Sequence, residues 1–389
     1  MTRYERLVRL INRQDLDYLP SQITFAERTR NPQIARELGL ASEEQLDGYL
    51  ENHLQLPFSR YDMPLFLRND TELMRTLSAE GFAGLDEQGR TVYDIWGMGI
   101  RIGEEGFYYN YSPFKGDREA NSRARPFLPR RFDPSLLDMT PLEAARRFKP
   151  PDPTIGANLK PLFEEIEKYK SEGIYAAPSG YFGIWERCNG MLGLPENVMY
   201  MAAEPEITLE MFERITEYKI RLARELLKLD LPLYHHGDDL GFQTSTFFSE
   251  AMFKDLLLPY LRRLFKVYKD AGKKIAYHSC GNITKMIPHL IDAGVDVLEP
   301  VQPCMDLKHL KEAFGDSLIF WGGIDTQSVL PHGSPEEVRE HTRQVIRTLG
   351  RGGGLIIGPS QEIMSDIPIR NIVAMVETIR AERRTVLDL

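Results

Sequence analysis

Cysteine is scarce in this chain. Cys188, Cys280 and Cys304 are the only three in 389 residues, too few and too scattered for a disulfide framework, so the fold rests on an apolar core and thiols stay available for metal or chemistry. Long hydrophobic runs are missing too. No stretch approaches the ~20 apolar residues of a membrane span, and the opening Met1-Thr2-Arg3-Tyr4-Glu5-Arg6 carries charge where a signal peptide would be apolar. A reducing, cytoplasmic setting with no membrane partner is the expectation. Positive charge is in deficit: 48 Lys and Arg stand against 57 Asp and Glu, a formal net charge of -9. The basic clusters at Arg123, Arg125, Arg130 and Arg131 and at Arg380, Arg383 and Arg384 are short and read as solvated faces, so no stripe neutralises a phosphate backbone and nucleic acid is excluded as the main partner.

Also lacking is any Gly-x-Gly-x-x-Gly or P-loop after an apolar run, which removes the support for a nucleotide-binding doubly wound sheet. What is present is a rhythm. Apolar runs at Ile23–Phe25, 173–177, 231–235, 275–277, 295–301, 318–321 and 355–357 are separated by helical patterns. The helix between the third and fourth runs shows one apolar stripe, Phe253, Leu256, Leu257, Tyr260, Leu261, Leu264 and Tyr268, and Gly272 stops it. Ser334-Pro335-Glu336-Glu337 is a capping box that starts another helix. Strand and helix in alternation imply parallel strands covered by helices. The fold class is therefore α/β, a (β/α)8 TIM barrel with an N-terminal helical and irregular elaboration, and one domain spans 1–389. Residues 26–155 read as a rim insertion or lid after the first strand. Within it Leu85-Asp86-Glu87-Gln88-Gly89-Arg90 forms a hairpin turn. Its aromatics, Trp96, Phe107, Tyr108 and Tyr109, either line a substrate pocket or pack on one another.

A barrel carries its chemistry where the strands end. Here those ends are polar: His235-His236-Gly237-Asp238-Asp239, His278-Ser279-Cys280-Gly281, Glu299-Pro300-Val301-Gln302, Gly322-Gly323-Ile324-Asp325 and Ser360-Gln361-Glu362. His278 and Cys280 stand apart from the rest. At i and i+2 on a strand they share one face, and Gly281 lets the backbone turn behind them. Imidazole beside thiolate in a reducing cell suits zinc. Cys188 and Cys304 have no partner at ligand spacing and read as plain structural thiols.

His278-Ser279-Cys280-Gly281, followed by Ile287-Pro288-His289 through Asp296, Phe320-Trp321-Gly322-Gly323-Ile324-Asp325 and Pro368-Ile369-Arg370-Asn371-Ile372, resembles the uroporphyrinogen decarboxylase superfamily. Gly237-Asp238-Asp239-Leu240-Gly241 and the opening Arg3-Tyr4-Glu5-Arg6 belong to the same likeness. The resemblance implies a single barrel with either metal-free decarboxylation or zinc-dependent methyl transfer involving a corrinoid protein. The arginine-rich segment of the decarboxylases is replaced here by Ser21-Gln22-Ile23-Thr24-Phe25-Ala26-Glu27-Arg28. The third ligand cysteine of many methyltransferase members has no counterpart in Gly358-Pro359-Ser360-Gln361-Glu362-Ile363. Metal ligands are then expected from His278 and Cys280, with Glu186, Glu299, Asp238 or Asp239 closing the shell. Asp238, Asp239, His235, Gln302 and Gln361 are the catalytic candidates.

A site with one thiolate is a stronger Lewis acid than one with two, and suits an ether or alcohol oxygen. The expectation is a demethylating methyltransferase acting on a small methoxylated or methylated donor, with the methyl passed to a corrinoid protein partner. Two alternatives stand beside it. One is a decarboxylase-like lyase in which Asp238 or Asp239 steers a protonated intermediate and His278 binds a carboxylate. The other is a non-catalytic barrel that binds a corrinoid protein or small ligand. The sequence permits a homodimer without requiring one.

Overall fold

The computed structural model describes residues 1–26, 30–62, 70–102, 109–180 and 182–387. Most of the strands among them are parallel. We label the ring strands β1 (Leu54–Gln55), β2 (Tyr175–Ala176), β3 (Ser179–Gly180), β4 (Leu233–Gly237), β5 (Lys274–His278), β6 (Val297–Val301), β7 (Ile319–Ile324) and β8 (Leu355–Pro359). The order β8-β7-β6-β5-β4-β3 forms one sheet, and β1 pairs with β2 in another. Ser21 joins the two by bridging Asn52 on one side and Ile357 on the other, both in parallel. The Gln22 N–H donates to Ile357 O at 2.9 Å and the His53 N–H to Ser21 O at 2.9 Å. The segment at Ser21 thus occupies the place of the first barrel strand, which leaves little sheet edge open.

Helices cover the ring: α1 (Arg3–Ile11), α2 (Ile184–Leu192), α3 (Pro205–Leu226), α4 (Leu258–Asp270), α5 (Pro335–Leu349) and α6 (Ile369–Glu382). The capping box expected at Ser334 starts α5, with both reciprocal bonds to Glu337 formed. The stripe ahead of β5 is buried at Phe253, Leu257, Leu261, Leu264 and Tyr268, its first turn, Phe253–Leu257, being π-helical before α4 begins. Gly272 follows at φ 71°, a left-handed stop that only glycine adopts freely. Among the described residues no helix is long and apolar enough to cross a membrane.

The structure differs from the sequence reading in one respect that matters for the barrel. The strand β1 at Leu54–Gln55 lies inside the 26–155 stretch expected to be elaboration after the first strand. Two residues are too short to show a period, and β1 is recognisable only through its pairing, Leu54 with Tyr175 and Gln55 with Ala176. The larger elaboration therefore falls between β1 and β2. Its hairpin forms at the expected turn, Leu85 opposite Val92, and a third strand at Gly99–Arg101 extends it to a meander. Trp96 is fully buried and packs on Phe148 and Tyr218 with ring centroids 5.7 and 4.8 Å apart. At Trp96 the aromatics pack on one another, as one of the two readings holds; Phe107 and Tyr108, like Glu27 and Arg28, lie outside the described residues.

One buried ion pair ties this elaboration to the barrel. Arg187 on α2 meets Asp62 at 2.6 Å with both side chains 1% exposed, and Asp94 lies 3.7 Å from its other terminal nitrogen. Burial pushes the Asp94 carboxyl up to about 7 against the pull of Arg187.

Candidate functional site

The site is assembled by neighbouring strand ends. In the β5–β6 pairing His278 stands opposite Glu299, so their side chains are cross-strand neighbours on one face. The result is a contact of 2.5 Å between His278 Nδ1 and Glu299 Oε2. His235 of β4 is wholly buried and approaches the same oxygen through Nε2 at 3.2 Å. Burial alone would raise Glu299, but the charge of His278 and hydrogen bonds from His235 and His278 outweigh it and hold the carboxyl down to about 2. An anionic Glu299 accepts a hydrogen bond from the Nδ1–H of His278 and leaves Nε2 as the outward-facing atom.

That outward face holds the other groups. Cys280 Sγ lies 3.6 Å from His278 Nε2, and Asp239 Oδ1 lies 3.2 Å from the same nitrogen. The Cys280 N–H donates to Asp239 Oδ1 at 2.8 Å, which fixes the carboxylate in place. Burial acts upward on Asp239, yet the hydrogen bond and charge of His278 prevail and keep its carboxyl below the ordinary value. Burial first, then the Asp239 charge, push the Cys280 thiol up to about 12. Gly281, three residues past the end of β5, turns the chain at φ 88°, and a Cβ there would sit 2.2 Å from the Gly241 carbonyl carbon. Only glycine admits the hairpin Gly241–Phe242 and Ser245–Thr246 so close behind the cysteine.

The two adjacent aspartates divide their work. Asp238 is fully buried and accepts the N–H groups of Ile184 at 2.9 Å and Glu186 at 2.8 Å, anchoring the first turn of α2. Burial raises its carboxyl to about 7 in spite of those bonds. Asp239 is half-buried and faces the open side. Glu186 sits beside them, pushed well above the usual carboxylate range by burial and by Asp239 and Asp238, and its Oε2 atom is buried without a hydrogen-bond partner.

Among the described residues, two groups bring metal-capable atoms within 4.8 Å of one another: Asp239, His278 and Cys280, and His235, His278 and Glu299. Distances separate their roles. Atoms bound to one zinc ion at 2.0–2.3 Å stand roughly 3.3–3.8 Å apart in a tetrahedron, close to the 3.2 and 3.6 Å of the first group. The 2.5 Å between His278 and Glu299 is too short for that and marks a direct hydrogen bond. Glu299, expected as a ligand, therefore hydrogen-bonds the far side of the His278 ring from Asp239 and Cys280, and Glu186 enters neither group. Gln302 and Gln361, expected as catalytic, turn their amides to the Cys280 sulfur at 3.6 and 3.1 Å. Cys188 is buried 3.5 Å from Asn197 Oδ1, and Cys304 lies 4.0 Å from Gln302 Oε1, so neither joins the cluster.

The uroporphyrinogen decarboxylase (URO-D) family model matches residues 133–382, nearly two-thirds of the chain and every residue of this site. The chain belongs to the uroporphyrinogen decarboxylase family. As a member of that family it is also similar to two curated methyltransferases. One is the methylated-thiol coenzyme M methyltransferase of Methanosarcina mazei, 26% identical over 141 residues and 35% of either chain. The other is the methylcobamide:CoM methyltransferase MtbA of Methanosarcina acetivorans, 29% identical over 120 residues, 31% of this chain and 34% of that one. The match spans about a third of the length of each of these relatives. A solved structure described as a methyltransferase from Methanosarcina mazei superimposes over 98% of this chain and 99% of its own with a TM-score of 0.59 at 15% identity, which shows a shared barrel fold.

Proposed function

We propose that this family member is a zinc-dependent methyltransferase that removes a methyl group from a small methoxylated or methylated donor and delivers it to a corrinoid-carrying partner protein. The observation that carries the reading is the convergence of Asp239, His278 and Cys280 at the mouth of the barrel. Carboxylate, imidazole and thiolate are the three donor types zinc accepts, and their spacing suits one ion with a fourth position left to a donor molecule. The two methyltransferase relatives support the same chemistry. When bound, zinc would supply Lewis acidity to the heteroatom that loses the methyl group.

The chain's own residues do the rest. Glu299 holds the His278 ring by Nδ1 so that Nε2 faces outward. His235 backs Glu299 from the barrel interior, and Asp238 fixes α2, which keeps Glu186 beside Asp239. The single thiolate and the carboxylate make the site harder than one built on two sulfurs, which favours oxygen- or nitrogen-bound methyl groups. A cytoplasmic, reducing setting that keeps Cys280 free belongs to this reading.

A lyase acting on a carboxylate substrate is the second reading, favoured by the family to which the chain belongs. It needs no metal, and metal content separates the two. The test is zinc analysis of the purified protein, joined to spectroscopic observation of free cob(I)alamin while methoxylated and methylamine donors are supplied in turn. Stoichiometric zinc and donor-dependent methylation of the cobalt are expected; zinc-free protein without methyl transfer contradicts the reading.

A further inference from the structure

The amide groups of Gln302 and Gln361 converge on one sulfur atom. Their orientation is fixed by partners that leave no choice. The Gly281 N–H donates to Gln302 Oε1 at 2.7 Å, and the Ser360 carbonyl accepts from Gln302 Nε2 at 3.1 Å. A backbone N–H can only donate and a carbonyl only accept, so the amide nitrogen of Gln302 is the atom that faces Cys280. The Glu362 N–H likewise donates to Gln361 Oε1 at 3.0 Å, which turns Gln361 Nε2 to Cys280 Sγ at 3.1 Å.

We infer that Gln361, assisted by Gln302, is a positioning residue that acts through the Cys280 thiolate: its N–H bond holds the sulfur and withdraws charge from it, so that a metal ion on Asp239, His278 and Cys280 stays a strong Lewis acid. This rests on the zinc reading above and deepens it. An amide N–H to a thiolate is a charge-assisted bond, and hydrogen bonds around a ligand sulfur tune the metal it binds. Asp239, hydrogen-bonded to the Cys280 backbone, adds negative charge to the same shell. The two amides act in the opposite sense by drawing density off the sulfur. They bias the site toward a methyl donor that binds through a hard atom, oxygen before sulfur.

The experiment replaces zinc by cobalt(II) and reads the sulfur-to-cobalt charge-transfer band of the wild-type, Gln361→Met and Gln302→Met proteins. Methionine matches the length of glutamine and removes the N–H donor. With cobalt bound, the band is expected at lower energy in Gln361→Met than in wild type, and displaced in the same direction in Gln302→Met, while demethylation of a methoxylated donor loses roughly tenfold in kcat with KM little changed. A band of unaltered energy in both variants overturns the inference. So does a Gln361→Met protein that folds and takes up no cobalt, because a donor to the sulfur tunes a site that other residues build. Wild-type protein that binds no cobalt overturns the zinc reading itself, a result distinct from either. Circular dichroism establishes folding, and Gln302→Met carries the test if Gln361→Met does not fold.

Discussion

His278 Nδ1 lies 2.5 Å from Glu299 Oε2, and this single contact decides which ring nitrogen points to the open side of the barrel. Removing the charge of Glu299 should loosen the ring without unfolding the chain. Glu299→Gln is expected to weaken zinc binding roughly 10- to 100-fold, measured by competition with a chromophoric chelator.

The adjacent aspartates should separate cleanly by mutation. Asp239→Ala removes a ligand candidate at a half-buried position and is expected to lose metal, with a melting temperature little below that of metal-free wild type. Asp238→Ala leaves the N–H groups of Ile184 and Glu186 unsatisfied in a buried turn and should cost about 2–3 kcal/mol of stability. Thermal unfolding alongside metal analysis distinguishes the two outcomes.

The barrel was legible in the sequence because the runs from 231 onward alternate with amphipathic helices long enough to show their periods, as the buried stripe ending at Tyr268 illustrates. Leu54–Gln55 was not legible, being defined by its partner strand rather than by its own pattern. At the site, His278 and Cys280 announce themselves by i, i+2 spacing. The role of Glu299 depends on the register that sets it opposite His278, and register across a βαβ unit cannot be read from one strand. The Arg187–Asp62 pair joins residues far apart in the chain; no local signal marks it.

That ion pair should be expensive to break from one side. Arg187→Met leaves Asp62 buried without its cation, an imbalance worth about 3–5 kcal/mol. A fall in denaturation midpoint with unchanged zinc content in the surviving folded protein is the expected pattern.

Acid should destabilise the chain through His53. Burial first, then the guanidinium groups of Arg6 and Arg383, depress its imidazole from 6.5 to about 3. The unfolded chain therefore binds a proton that the folded chain refuses between those values. Stability from this group is fully present above pH 6.5 and declines as pH falls toward 3. Urea midpoints measured between pH 4 and 7 should drop on acidification, and the slope should flatten in His53→Gln.

Zinc content per chain in wild type and Cys280→Ala tests the central claim most directly. The account predicts about one zinc per chain in wild type and its loss in the variant. Wild-type protein purified without zinc, or a Cys280→Ala protein that retains the full complement, contradicts it.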